Sequence, residues 1–345
     1  MRIATYNVEW FNSLFDAEGR LREDDGPSAR YGISRRDQLA ALGIVFTALD
    51  ADAVMVIEAP DANRERDTVA MLELFARTCG LRARRAIIGF ANHTQQEIAL
   101  LYDPDRISVR HEPVGHWPQM PGEAGTPRFD GQYRIDLDID MTPETVVFSK
   151  PPLELAARTT GGVGLRLIGV HVKSKAPIGA ESAAQAARIA IENRRKQLAQ
   201  CIWLRRRVEE HLARGDSLIV LGDLNDGPGL DAYEELFGHS GVEIVLGAAA
   251  PPERQLHDPH ARSAMHGRRP SAGVPVTARF WNNRIKGYVS ALLDYIMVSP
   301  DLAALGPDWR IWHPFDDPVC YATPDLREAL LTASDHYPVT LDLPL

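Results

Sequence analysis

Short apolar runs recur along the whole chain, and several of them break off on a single acid, amide or imidazole. The runs are Ile3–Val8, Ala53–Ile57, Ile98–Tyr102, Val146–Phe148, Leu165–Val172, Leu218–Leu221, Leu292–Val298 and Val339–Leu343. Each has strand length and is rich in Val, Ile and Leu, the signature of strands buried in a sheet. Asn7, Glu58, His171, Asp223, Asn225 and Asp294 stand in or just past such runs, and Ser334-Asp335-His336 stands just before the last. Strand ends far apart in sequence can therefore deliver their side chains to one place.

Between the runs lie helical patterns at Ser34–Leu49, Thr68–Thr78 and Glu181–Ala213, the last free of Gly and Pro and rich in Ala, Leu, Arg and Glu. Around 82–149 the strands follow one another without helices, which implies antiparallel pairing beside any βαβ units. Stacked mixed sheets with helices outside fit this order. Pro113–Asp130 and Ala248–Ser271 are Pro/Gly-rich surface loops, too short to serve as linkers between separate domains. The expectation is one domain spanning residues 1–345.

Composition removes several classes. With 45% apolar and 25% charged residues among 345, the chain can bury a sizeable core. No run approaches 18 apolar residues, so no membrane span is expected, and Met1–Tyr6 leads straight into a strand-like segment without an export pattern. Three widely spaced cysteines, Cys79, Cys201 and Cys320, suit reduced core thiols, which points to the cytoplasm. A formal net charge of −9 argues against coating nucleic acid through a general positive field. Residues 251–290 run the other way, with seven Arg/Lys against two acids.

Leu218-Ile-Val-Leu-Gly-Asp223-Leu-Asn225 carries a strand into a glycine and then presents a carboxylate and a carboxamide two residues apart. An Asp can ligate Mg²⁺ or orient a water, and an Asn can donate to a phosphate oxygen without adding negative charge. The same spacing also suits an Asx turn that merely satisfies local backbone. His171, Lys173 and Lys175 alternate, so an extended strand turns all three to one side, where an imidazole and two ammonium groups suit a phosphate. Solvated lysines past a sheet-end His fit equally. Glu97 can orient His171 or face solvent. Glu58 is a hard oxygen donor of the kind Mg²⁺ or Mn²⁺ prefers. Asp294 lies within an apolar strand and needs a partner to offset its desolvation, for which a histidine is suited.

Tyr-Asn7-Val, the strand-ending Glu58, Gly-Val-His171-Val-Lys-Ser-Lys, Gly-Asp223-Leu-Asn225, Leu-Asp294-Tyr-Ile and Ser-Asp335-His336 form an ordered set over almost the whole chain. In this set the chain resembles the endonuclease/exonuclease/phosphatase superfamily, the group of DNase I, exonuclease III, apurinic endonucleases, neutral sphingomyelinases and inositol polyphosphate 5-phosphatases. The resemblance implies a four-layer αββα sandwich and metal-dependent hydrolysis of phosphoesters. It implies that Glu58 binds Mg²⁺ or Mn²⁺ with Asn7 and Asp335 close by. It further implies that Asp223 orients or deprotonates the attacking water, Asn225 holds a phosphate oxygen, Asp294 orients His336, and Glu97 partners His171. Whether Asp223 or the His336–Asp294 pair is the general base stays open, as does the number of metal ions.

Ala291-Leu-Leu-Asp294-Tyr-Ile departs from the segment typical of the 5-phosphatase branch, and no export signal of a secreted sphingomyelinase is evident. The pattern from His171 to Asn225 looks most like bacterial nuclease-like members. The expected function is a nuclease or related phosphodiesterase. A phosphomonoesterase or phospholipid phosphodiesterase is the alternative, and a silent binding protein of the same fold the remote one. Lys173, Lys175, Trp281 and Arg284 are the expected substrate contacts, since Arg279-Phe-Trp-Asn-Asn-Arg284 mixes aromatics, amides and arginines suited to stacking a base and holding its phosphate. Packing of Phe280 and Trp281 into the core is the competing reading.

Overall fold

A computed structural model describes residues 1–117, 125–135, 144–228, 238–265, 274–282 and 285–345. Two mixed sheets carry the architecture. The first holds six strands, β1 (Arg2–Asn7), β2 (Ala53–Ala59), β3 (Arg85–Ile88), β4 (Glu97–Tyr102), β14 (Asp308–Ile311) and β15 (Val339–Asp342), in the order β14-β15-β1-β2-β4-β3. The second has five: β5 (Ile107–His111), β8 (Leu153–Thr159), β9 (Gly164–His171), β10 (Leu218–Asp223) and β13 (Asp294–Val298), ordered β13-β10-β9-β8-β5. Two hairpins stand apart, β6 (Tyr133–Ile135) with β7 (Glu144–Val146), and β11 (Ala278–Asn282) with β12 (Gly287–Ala291). Among the described strands only the β1–β2 and β9–β10 pairs are parallel, each joined through a helix as a parallel crossover requires.

Period-two alternation divides each buried strand between two cores. Ile3, Met55 and Ile57 of the first sheet meet Leu165, Leu167, Ile219, Leu221 and Ile296 of the second. From the opposite face Ala4, Tyr6, Val54 and Val56 pack under α1 (Arg35–Leu49) and α2 (Thr68–Thr78), and under the C-terminal helix Pro324–Ala333. On the far side Ile168, Val170, Val220 and Tyr295 pack under Trp203, Leu204 and Val208 of α3 (Ala183–Arg214). The result is the expected four-layer αββα sandwich. A Cβ on Gly169 would collide with the Met55 sulfur, so a glycine there lets the two sheets approach.

The helices start where side chains cap them: Ser34 accepts from the Asp37 amide, Asp67 from Val69 and Ala70, and Ser182 from Gln185. Gly215 closes α3 in the left-handed conformation. Several strands lie outside the apolar runs. β3, β5 and β14 are edge strands whose exposed faces carry Arg and Ser, which hides their periodicity. Ala248–Ser271, expected as loop, contains the helix Pro259–Met265. All three cysteines are free thiols, Cys201 and Cys320 buried. Among the described residues no helix is long and apolar enough to cross a membrane.

Candidate active site

The inward face of the inter-sheet strands is apolar until its last rung, where it turns polar. β10 reads Ile219, Leu221, Asp223 on that face, β9 reads Leu165, Leu167, Gly169, His171, and β1 reads Ile3, Thr5, Asn7. Register then aligns them. Asp223 pairs across the ladder with Asp294 on one side and His171 on the other, so the three side chains occupy one rung. All three are buried.

Two carboxylates directly opposite repel, and their neighbours offset it. Asp294 Oδ2 lies 2.7 Å from His336 Nδ1, which gives Asp294 the imidazole partner its burial requires. Asn7 Nδ2 donates to Asp223 Oδ2 at 3.1 Å, and the Asn225 amide donates to Asp223 Oδ1 at 2.7 Å. Burial, and then the Asp294 charge, still push the Asp223 carboxyl well above its ordinary range. Burial alone would lower His336, but Asp294, Asp335 and Asp223 together hold it well above the usual imidazole range. His171 is driven the other way by burial and by the charges of Lys150 and His336, and stays neutral. His171 Nε2 sits 3.6 Å from Asp223 Oδ2.

Backbone strain aims the remaining donors. The β2–β4 register breaks between Ile57 and Ala59, a bulge that throws Glu58 out of the ladder at φ 62°. Its carboxylate accepts the Trp10 amide at 2.9 Å. Glu9, Trp10 and Asn225 also hold positive φ, and at roughly 1–3 kcal/mol each such strain gathers where geometry is functional. Gly222 is obligatory at φ 136°, because a Cβ there would strike the Val170 carbonyl. Ser334 Oγ donates to the Asn7 carbonyl at 2.7 Å and accepts the His336 amide at 3.0 Å, which ties the Asp335–His336 pair to β1.

Burial raises the Glu58 carboxyl and the nearby Asp335 charge adds to it, while the Trp10 amide, Lys150 and His336 counter. Acids pressed together at a strand-end cleft fit a hard divalent cation. Asp223, Asp294 and His336 also offer ligand atoms within 4.8 Å of one another, and the second Asp294 oxygen is buried without a hydrogen bond. Asp294 and His336 already satisfy each other through their hydrogen bond, which a cation at that group would have to break.

Two expectations change. Glu97 does not reach His171: its carboxylate accepts both the amide and Nδ2 of Asn92, and His171 Nδ1 is buried without a partner. Lys175 does not face the cleft with His171, because β9 ends at His171 and the alternation lapses. Its ammonium instead lies 2.6 Å from buried Asp226, which also binds buried Arg194 at 2.7 Å and so pins the loop after Asp223. Trp281 is half exposed on the β11–β12 hairpin while Phe280 packs inward on Ala278, Ala291 and Leu293, and Arg284 lies outside the described residues. Lys150 is the residue that sequence reasoning passes over. Its Nζ is 3.5 Å from His171 Nε2, and Glu58 and Asp223 lie near enough to counter the downward pull of burial on its pKa. A lone Lys after the short Val146–Phe148 run gives no signal. Lys173 lies near enough to Lys150 for its charge to add to the downward pull on that ammonium.

A two-sheet sandwich with acids and imidazoles gathered at one set of strand ends is a DNase I-like architecture. The chain belongs to the endonuclease/exonuclease/phosphatase family, whose model matches residues 4–336. It is similar to a 3′–5′ exonuclease from Neisseria meningitidis at 17% identity, with 100% of each chain covered and a TM-score of 0.51. An AP endonuclease from Archaeoglobus fulgidus is similar at 14% identity, 100% of each chain and a TM-score of 0.50. Truncated TDP2 from Caenorhabditis elegans is similar at 13% identity, covering 99% of this chain and 96% of that one, with a TM-score of 0.50. At these identities the likeness speaks for the fold alone. No curated protein sequence matches the chain. The family acts on phosphoester bonds as hydrolases, generally with a divalent metal, and among them are nucleases.

Proposed function

We propose that this chain is a divalent-metal-dependent phosphodiester hydrolase that cleaves nucleic acid by in-line attack of water. The observation that carries the reading is the single rung Asp294–Asp223–His171 with His336 bound to Asp294 at its end. Glu58, Asp335 and Asn7 are the residues to hold Mg²⁺ or Mn²⁺. A cation bound there supplies Lewis-acid polarisation of the phosphoryl oxygen.

The side chains divide the rest. Asp223, fixed by Asn7 and Asn225, orients the attacking water and accepts its proton. His336, turned by Asp294 so that Nε2 is its outward nitrogen, donates to a phosphoryl oxygen as charge grows there. His171 and Lys150 add two donors on the opposite flank, and Lys173 a third charge at the rim. Asn225 Nδ2 donates to the Val172 carbonyl at 3.0 Å and so ties the two loops of the site together before any phosphate arrives.

Turnover of bis-p-nitrophenyl phosphate against p-nitrophenyl phosphate, each with Mg²⁺, with Mn²⁺ and with EDTA, tests the proposal. The diester is the better substrate in either metal, and EDTA abolishes its hydrolysis. Preference for the monoester overturns the phosphodiesterase reading, and full activity in EDTA overturns the metal.

A further inference from the structure

The β11–β12 hairpin is sewn to the catalytic segment by its backbone. Tyr337 N donates to the Thr277 carbonyl at 2.6 Å, Arg279 N donates to the Asp335 carbonyl at 2.7 Å, and Ala278 bridges to His336. Whatever the hairpin's outer face holds is therefore held at a fixed offset from Asp335 and His336.

That face is unusual for a surface. Phe280 and Val289 pair on one side of the hairpin, and Phe280 packs onto Ala278, Ala291 and Leu293. Trp281 and Tyr288 pair on the other, with Arg279 and Ser290. Trp281 is 50% exposed and Tyr288 59%, their rings 5.3 Å apart and edge-to-face at 80°. The Arg279 guanidinium carbon lies 4.4 Å from the Tyr288 ring centre, on the side of the hairpin nearest Asp335. From Val274 to Ala291 the sequence holds Arg279, Arg284 and Lys286 and no Asp or Glu, in a chain of net charge −9. The positive charge of this chain is thus local where a general phosphate-binding field is absent.

We infer that this aromatic and cationic face binds a single-stranded nucleic-acid segment, stacking its bases on Trp281 and Tyr288 while Arg279 leads the phosphate toward the Asp335–His336 end of the cleft. The inference rests on the phosphodiesterase reading and narrows its substrate to single-stranded or frayed nucleic acid. Bases are open for stacking only outside a duplex, and stacking needs no broad basic surface. A duplex bound through its backbone draws on one, and a net charge of −9 does not favour it. Anionic lipid would also meet aromatics and cations, but here the paired rings lie across the sheet face and beside a phosphoester site.

Fluorescence anisotropy of the full chain with 5′-fluorescein dT12, in EDTA so that nothing is cleaved, provides the test. The wild type binds dT12 at least tenfold tighter than a 12-base-pair duplex. Trp281→Ala weakens dT12 binding by about tenfold and Trp281→Ala/Tyr288→Ala by about a hundredfold, while Trp281→Phe restores most of the loss. Both side chains are exposed, and an unchanged thermal midpoint checks that the variants fold. Unchanged dT12 affinity in the double variant overturns the inference. So does preference for the duplex, loss of binding to POPC/POPG vesicles without loss of dT12 binding, or a change of oligomeric state on sedimentation. Because the binding is read without metal or turnover, failure here is distinct from failure of the diester assay, which tests the hydrolase reading alone.

Discussion

Acids cluster at both ends of the two-sheet sandwich, and the two ends treat them oppositely. At the end away from the cleft, Asp52 precedes β2, Asp103 follows β4 and Asp342 closes β15, and each has arginine. Arg82 reaches Asp50, Asp52 and Asp103, Arg106 reaches Asp52, and Arg2 binds Asp342 at 2.8 Å. Burial would raise Asp52, but the Arg82 guanidinium and the Arg2 amide bring it below its ordinary value. At the cleft end Asp223, Asp294, Glu58 and Asp335 crowd together with imidazoles and one lysine, and burial wins at Asp223 and Glu58. One end commits its carboxylates to arginine, while the other leaves Asp223 and Glu58 raised by burial, as at functional sites.

The largest expected effect breaks the cleft alone. Asp223→Asn lowers kcat/KM for the small diester by about 10³-fold or more, with the thermal midpoint retained or raised. A drop in midpoint as large as that of Asp52→Asn would erase the contrast. Lys150→Met costs about 10- to 100-fold, since it removes one donor and one charge from a site that keeps its base, and steady-state kinetics reads it. Asp52→Asn does the reverse: it leaves turnover within about twofold but destabilises by about 2–4 kcal/mol in urea, because Arg82 and Arg106 lose their shared acceptor. The smallest effect is its pH dependence. A carboxylate with depressed folded pKa contributes stability above its unfolded pKa of about 3.9, and loses it as pH falls through the folded value. Wild-type stability therefore falls more steeply below about pH 4 than that of Asp52→Asn, as urea midpoints across pH 3–6 would read.

Much of the sandwich is legible in the sequence because its central strands are apolar on both faces, and the polar residue that ends each run marks the last rung. Asp294 announces its need of a partner through burial, and the family resemblance names His336. What stays hidden has physical causes. The edge strands β3, β5 and β14 alternate with charged or polar residues, so no apolar run marks them. Glu97 pairs with Ala59 just past a bulge that sequence does not disclose, and Asn92, from the turn before it, reaches it first. Lys175 reads as a residue of an extended strand, but the strand stops at His171 and Asp226 takes the ammonium. Lys150 arrives from a loop, where no periodicity points anywhere.

Asp294, Asp223 and His171 share a rung only while β13, β10 and β9 hold one alignment. A slip of β10 by a single residue would bring Gly222 or Leu224 to that position and turn Asp223 to the opposite face, with the helical and strand content untouched. Circular dichroism would pass such a population as folded. Turnover would not, so specific activity becomes a ruler for strand alignment, graduated in single residues, and refolding yields measured by it count only correctly threaded molecules.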